Sequence, residues 1–83
     1  MKMIALNILF FGSLKTYFGN HQLIEIPHGS SVKDLLLHLK QNVPEAGEIL
    51  TSCQVAVNSM LEKDDYLLID CHEIAILPPF SGG

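Results

Sequence analysis

Residues 2–11 alternate between two sets of mostly apolar positions, which is the pattern of a β-strand. Successive side chains of a strand point to opposite faces, so every second residue shares a face. Two faces follow from this alternation: Ile4, Leu6, Ile8 and Phe10 on one, and Met3, Ala5, Asn7, Leu9 and Phe11 on the other. The first set is the natural core face. Gly12-Ser13 should end the strand, and a loop is expected around residues 15–20.

The next long periodic segment has helical spacing. Four apolar residues recur at i, i+3, i+4 and i+7, which gives one stripe facing the sheet. These residues are Val32, Leu35, Leu36 and Leu39. Ser31 followed by Asp34 resembles a capping box, with Asp in place of the usual Glu. Pro44 should stop this helix, and residues 45–50 should form a short extra turn or helix.

The remaining segments complete the order strand, strand, helix, strand, short strand, strand. The later strands are expected at residues 22–26, 53–57, 66–69 (a brief strand or extended segment) and 73–77. A right-handed crossover would lay the helix across one face of a mixed sheet. The sequence therefore predicts an α+β fold of the β-grasp, or ubiquitin-like, type, with one main helix on one face. A split ferredoxin-like layout would need a second full helix before the last strand.

The other face of this sheet is expected to lack a cover. In a β-grasp sheet the first and last strands are neighbours, which would bring Leu9 and Phe11 beside Ala75 and Leu77. A contiguous exposed apolar patch usually marks a partner surface. The alternative is that Leu9 or Phe11 packs under the loop at residues 15–20.

Composition and charge narrow the class of protein. Eighty-three residues, 48% of them hydrophobic, suit one small domain with its own core. The net charge is −4 and all five basic residues are lysines, which argues against a nucleic-acid partner. No apolar run approaches the roughly 18–20 residues of a membrane span, and we expect cytoplasmic residence. The acidic residues near 62–73 form either a solvated turn or a docking surface for a basic partner.

Two cysteines and four histidines offer no recognised metal or catalytic spacing. Cys53 and Cys71 lie 18 positions apart without a CxxC motif, so both are expected to be reduced thiols. None of the usual ligand spacings for a structural metal is present.

The C-terminal residues combine a stiff approach with an end that has no side chains. Pro78 and Pro79 fix φ and remove two backbone donors, so the last strand cannot pair beyond them. Gly82-Gly83 is costly to order and would serve passage through a narrow channel better than it would serve the fold. We expect residues 1–79 to form the β-grasp domain. Residues 80–83 would be a flexible tail that presents the α-carboxylate of Gly83 to a partner's active site.

On these residues the chain resembles the MoaD family, the small sulfur-carrying subunit of molybdopterin synthase, within the ubiquitin-like MoaD and ThiS sulfur carriers. Residues 70–75 and 76–83 carry most of the resemblance, and residues 8–12 and 55–58 match the family's first and third strands. The thiamine-pathway carriers also end in Gly-Gly but usually lack the Pro-Pro approach. Two differences stand out. Cys71-His72 replaces a common Gly-Asp, and Lys15 stands where arginine is frequent, which keeps the charge but loses bidentate contacts.

The resemblance implies a cycle of chemistry on Gly83. A ubiquitin-activating-like, MoeB-like adenylyltransferase would use ATP to adenylate its carboxylate. A sulfur donor, such as a cysteine desulfurase or a rhodanese-type protein, would convert it to a thiocarboxylate. The sulfur would then pass to a cyclic pterin precursor inside a larger, MoaE-like subunit, which would hold the catalytic residues. This chain would bind no cofactor or metal itself.

The resemblance also implies roles for individual residues. Gly83 would react, as a carboxylate that becomes 1-thioglycine, and Gly82 and Ser81 would give the tail access. The partner-binding residues would be Phe11, Lys15, Leu77, Pro78, Pro79 and Phe80. Three alternatives remain: a sulfur carrier for another pathway such as thiamine synthesis, a ubiquitin-like modifier joined to lysines, and an interaction domain whose glycines have no chemical role.

Overall fold

A computed structural model describes residues 2–70 and 72–79. The strands are β1 (Met3–Phe10), β2 (His21–Pro27), β3 (Gln54–Val57), β4 (Met60–Glu62) and β5 (Glu73–Leu77). The helices are α1 (Lys15–Phe18), α2 (Val32–Asn42) and α3 (Gly47–Thr51), with 3-10 turns at Gly12–Leu14 and Pro44–Ala46. The strands form one sheet in the order β2-β1-β5-β3-β4.

The first and last strands occupy the centre of this sheet. β1 and β5 run parallel, while β2 and β3 flank them in antiparallel pairing. The long crossover between β2 and β3 contains α2, which packs on one face of the sheet. This arrangement confirms the predicted β-grasp architecture, with two short helices, α1 and α3, in addition to the main one.

The core lies between α2 and the face of the sheet that the alternation predicted. Ile4, Leu6, Ile8 and Phe10 are each no more than 2% exposed. The predicted helical stripe is buried against them, and it consists of Val32, Leu35, Leu36 and Leu39. Each such side chain stabilises the fold by roughly 1.5–3 kcal/mol when fully buried. Hydrophobic burial on this one face therefore accounts for the position of the helix.

The N-terminus of α2 is satisfied by a capping box and by the segment that precedes β5. Ser31 Oγ accepts from the backbone N–H of Asp34 at 3.2 Å, and Asp34 Oδ2 accepts from the N–H of Ser31 at 2.9 Å. The next two donors of the first turn, the N–H groups of residues 32 and 33, donate to the carbonyl oxygens of Tyr66 and Asp64, each at 3.0 Å. The capping box predicted from the sequence is thus confirmed.

The fourth strand lies earlier than predicted. Residues 66–69 make only an isolated bridge, between Leu67 and Ser31, and belong to no strand of the sheet. Their carbonyl groups are directed at the start of α2 instead. β4 pairs with β3 through a two-residue turn at Asn58 and Ser59, whose φ angles of 49° and 74° suit a type I′ hairpin.

The loop expected around residues 15–20 is mostly helical. A 3-10 turn leads into α1, and Leu14 and Phe18 project from them into the core at 0% and 6% exposure. The Phe18 ring stacks on Phe10 with 4.7 Å between centroids. The expectation of a loop was wrong because these two apolar residues, four positions apart, gain more by packing as one helical face than by extending.

Candidate functional site

The sheet face opposite α2 is open and carries a row of apolar residues across all five strands. The pairing register aligns Leu9 with His21 on one side and with Ala75 on the other. Ala75 is paired in turn with Ala56, and Ala56 with Leu61. The predicted uncovered face is therefore present, and its centre is flat because two of its members are alanines.

Large apolar side chains stand at the two edges of this face. Leu61 on β4 is 59% exposed and Leu23 on β2 is 70% exposed. Beside Leu23 lies a shallow depression of about 410 Å³ that is also lined by Ala5, Asn7 and His21. The His21 ring nitrogen Nε2 forms a hydrogen bond with Asn7 Oδ1. An apolar centre bordered by hydrogen-bonded polar groups is the usual composition of a protein–protein interface.

The root of the tail adjoins this face where β1 and β5 end. The parallel ladder stops at the pair Phe10 and Ile76, and Leu77 makes the last pairing of β5. Pro78 has no N–H to continue either ladder. The expectation that the strand cannot pair past the prolines is confirmed, and the chain therefore leaves the sheet at this point.

The described partner-binding candidates gather around that root. Phe11 directly follows β1 and is 42% exposed, while Leu77 and Pro78 are half-buried and Pro79 is exposed. Lys15 is exposed at the start of α1. The remaining candidates lie outside the described residues: Phe80, Ser81, Gly82 and Gly83.

The alternative in which Phe11 packs under the following segment does not hold. Phe18, not Phe11, fills the space beneath α1, where it stacks on Phe10. Phe11 consequently remains on the surface beside the root of the tail.

Sequence reasoning missed Gly12, Leu23 and Leu61 as members of this region. The alternation of β2 contained the signal for Leu23, because the buried Ile24 beside it points to the core. Leu61 could not be assigned without the correct position of β4. Gly12 gave no sequence signal beyond the end of a strand, since its role depends on a residue 66 positions later.

The two described titratable side chains with notable burial have structural surroundings. The half-buried Cys53 thiol donates to the Ile49 carbonyl oxygen at 3.1 Å, and burial raises the pKa of this thiol. A raised pKa keeps the thiol protonated and poorly nucleophilic. His72 is 5% exposed, and its Nδ1 accepts from the Ile69 N–H at 3.2 Å. Neither residue faces the tail as an activated catalytic group.

Two further searches of the described part of the chain returned nothing. Within residues 2–70 and 72–79, no three His, Cys, Asp or Glu side chains are grouped so as to hold a metal ion. No helix in the same ranges is both long and apolar enough to cross a membrane.

The strand order, the crossing helix and the strand-bordered tail root define a ubiquitin-like β-grasp carrier domain. The chain belongs to the ThiS family, whose sequence model matches residues 8–83.

Relatives with curated names agree with this membership. The chain is 31% identical to the molybdopterin synthase sulfur carrier subunit of Chlamydomonas reinhardtii, over 96% of this chain and 100% of that protein. It is 29% identical to the subunit of the same name from Mycobacterium tuberculosis, over 98% of this chain and 100% of the relative. The resemblance to the MoaD family is thus confirmed over nearly the whole chain.

Solved structures show the same fold. A putative molybdopterin converting factor subunit 1 from Pyrococcus furiosus superposes with a TM-score of 0.82 at 22% identity, covering 93% of this chain and 99% of that one. Subunit 1 or 2 in a complex of the two from Helicobacter pylori molybdopterin-converting factor superposes with a TM-score of 0.67 at 28% identity, covering 99% and 100%. Small archaeal modifier protein 1 from Methanosarcina acetivorans gives a TM-score of 0.79 at 25% identity, covering 100% of both chains.

Proposed function

We propose that this protein is the sulfur carrier of molybdenum cofactor biosynthesis and the small subunit of a molybdopterin synthase. The observation that carries the proposal is the end of β5 at a proline pair, beside exposed Phe11, in a chain whose family match runs through residue 83. The curated relatives bear this role in their names over their full lengths. No acid, base or metal is required of the carrier itself.

The reacting group in this proposal is the carboxylate of Gly83. A carboxylate is a poor electrophile, because attack adds charge to a group that is already negative. A MoeB-like adenylyltransferase would use ATP to form the acyl-adenylate and release pyrophosphate, which provides AMP as a leaving group. Sulfur supplied by a cysteine desulfurase or rhodanese-type protein would displace AMP and leave a thiocarboxylate. The soft, nucleophilic sulfur of that group can then attack a cyclic pterin precursor.

The partner in the last step would be a MoaE-like large subunit. The Helicobacter pylori structure is a complex of subunits 1 and 2 of a molybdopterin-converting factor, which supports such a pairing here. The residues from Pro79 to Gly83 span at most about 17 Å when fully extended. The domain can therefore dock through its open face while Gly83 enters a deep pocket of the large subunit. We assign this cycle to the cytoplasm as part of the proposal.

The first test is an intact-mass spectrum of the protein isolated from its native cell, with fragmentation of the C-terminal peptide. The expected result is replacement of one oxygen by sulfur, localised to Gly83. Localisation is essential because oxidation of Met1, Met3 or Met60 adds nearly the same mass. A Gly83 that stays unmodified after incubation with ATP, an activating enzyme and a sulfur donor would contradict the proposal.

Deletion of Gly83 provides the matched genetic test. Shortening the tail by about 3.3–3.6 Å should withdraw the carboxylate from both partner active sites and abolish sulfur transfer. The melting temperature should stay unchanged, because the core lies between α2 and the sheet. Loss of folding in this variant would contradict a tail that serves chemistry alone.

A second candidate function is that of a ubiquitin-like modifier. The likeness to small archaeal modifier protein 1 favours it, at 25% identity over the whole chain. The activated carboxyl of Gly83 would then form an isopeptide bond with a lysine amine of a target. Higher-mass conjugates in a cell lysate that vanish on deletion of Gly83 would support this function. A carrier for thiamine synthesis would share the sulfur chemistry and differ in the partner that copurifies.

A further inference from the structure

Gly12 and Pro78 meet at the root of the tail in a contact that leaves no room for a side chain. Gly12 has a φ of 58°. A Cβ built on it would lie 2.8 Å from Cγ of Pro78, closer than real Cβ atoms are found. The proline ring therefore occupies the space that any other residue at position 12 would need.

This contact lies where the hydrogen bonds of the sheet have ended. The β1–β5 ladder stops at Phe10 and Ile76. Two steps further along the same parallel register bring Gly12 opposite Pro78. Since proline has no N–H, the ladder cannot extend to this level, and ring-on-backbone packing takes the place of hydrogen bonding.

The other glycines with positive φ lack such a contact. Gly19 and Gly29 have φ angles of 77° and 90°, and a Cβ on either would have no atom within 4 Å. Glycine at those two positions answers only to backbone conformation. At Gly12 it answers to conformation and to the close approach of Pro78.

We propose that Gly12 is a positioning residue that seats the Pro78 ring and so fixes the direction in which residues 79–83 leave the sheet. The inference rests on the proposed function, because that direction affects chemistry only if Gly83 must reach a partner's active site. The ring is closed onto its own backbone nitrogen and its φ is fixed. A side chain at position 12 therefore moves the backbone at the root of the tail.

The first experiment measures this geometry without any sulfur chemistry. Three variants are compared: Gly12→Ala, Gly19→Ala and Gly29→Ala. All three should lose about 4–8 °C in melting temperature, because alanine is strained at positive φ. Only Gly12→Ala should change the Cα–Hα residual dipolar couplings of Pro78 and Pro79 in solution NMR. Unchanged couplings would mean that a change of ring pucker accommodates the methyl group, and this would overturn the proposal.

Pro78→Ala examines the same contact from the other side and carries no positive-φ penalty, so it serves even if Gly12→Ala is poorly folded. It removes Cγ, the atom nearest to the added Cβ. This variant should also change the coupling at Pro79. A coupling at Pro79 equal to that of the unaltered protein would show that the contact does not set the direction of the tail.

The second experiment measures adenylation by the activating enzyme, with each variant as the protein substrate. Gly12→Ala should lower kcat by about tenfold to 100-fold, with KM changed less than about twofold, because docking survives while the carboxylate is misplaced. Adding Pro78→Ala to Gly12→Ala should restore part of kcat by making room for the methyl group. Equal losses of kcat in all three glycine variants would assign the effect to strain alone and overturn the positioning role. If the unaltered chain is not adenylated, the proposed function fails, while the couplings still decide what Gly12 does.

Discussion

Ser31 shows how much of the main helix depends on one hydroxyl oxygen. Its Oγ accepts from the Asp34 N–H at 3.2 Å, and the Asp34 carboxylate closes the box on the Ser31 N–H at 2.9 Å. Two further donors of the first turn rely on carbonyl groups of residues 64 and 66. The serine therefore links the helix start to the segment that runs back toward β5.

Ser31→Ala should lower the free energy of unfolding by about 1 kcal/mol, because the N–H of Asp34 loses its acceptor. In thermal unfolding this corresponds to a melting temperature lower by roughly 4–8 °C for a domain of this size. Ser52→Ala is the matched control, since Ser52 is exposed at the end of α3 and makes no capping contact. Equal losses in the two variants would contradict the assigned role of Ser31.

The Cys53 thiol gives the protein a dependence on alkaline pH. Burial raises its pKa, so the folded protein holds the proton to higher pH than the unfolded chain does. The stabilising contribution is complete below the ordinary thiol pKa and is lost as the pH rises through the raised value.

The measurement uses a Cys71→Ser background, so that one thiol remains, and compares it with the same background carrying Cys53→Ser. From about pH 8 to about pH 10, the cysteine form should lose more melting temperature than the serine form. Alkylation of Cys53 by iodoacetamide near neutral pH should be severalfold slower than that of an unstructured cysteine peptide. Alkylation at the peptide's rate would show an unshielded thiol.

At the scale of elements, α2 is decided by which of its leucines face the sheet. Leu35 is fully buried at 0% exposure, while Leu37 two positions later is 44% exposed. The helical period of 3.6 puts them on opposite sides of the same helix. The two side chains have the same chemistry, so their difference isolates the effect of burial.

Leu35→Ala should therefore lower the free energy of unfolding by about 2–5 kcal/mol, through lost burial and the cavity left behind. Leu37→Ala should change it by less than about 0.5 kcal/mol. Urea denaturation of the two variants gives both values from their midpoints. A large loss in Leu37→Ala would mean that the exposed side of α2 is covered in solution.

The elements also show where sequence reasoning succeeds and where it stops. The alternation of β1 and the stripe of α2 could be predicted because each is a period within one continuous segment. The position of β4 could not be predicted in this way. It depends on the positive φ of Asn58 and Ser59, and residues 66–69 looked strand-like because their apolar pattern does not reveal that their carbonyls serve α2.

The same limit applies to the site. Phe11 and Leu77 were predicted as neighbours because the first and last strands of this fold pair, and the observed register agrees. The contact of Gly12 with Pro78 was not predictable from either segment alone. It appears only when the end of β1 and the end of β5 are placed side by side.

At the scale of the whole molecule, the two faces have different tasks. One face of the sheet is closed by α2 and holds the core, while the other is open and runs into the root of the tail. Phe11 lies at that root and Leu37 on the outer side of α2, with nearly equal exposures of 42% and 44%. These two residues allow the open face to be tested as a docking surface against a surface of equal exposure elsewhere.

Phe11→Asp should weaken binding to the large subunit of a molybdopterin synthase by at least about tenfold, or 1.4 kcal/mol, since a desolvated aromatic anchor is replaced by a charge. Leu37→Asp should leave the affinity unchanged, because it lies away from the open face. Isothermal titration calorimetry measures both affinities, and thermal unfolding checks that each variant stays folded. Unchanged affinity in Phe11→Asp would remove the open face from the interface. Equal weakening in both variants would instead indicate a general effect of negative charge, because this chain already has a net charge of −4.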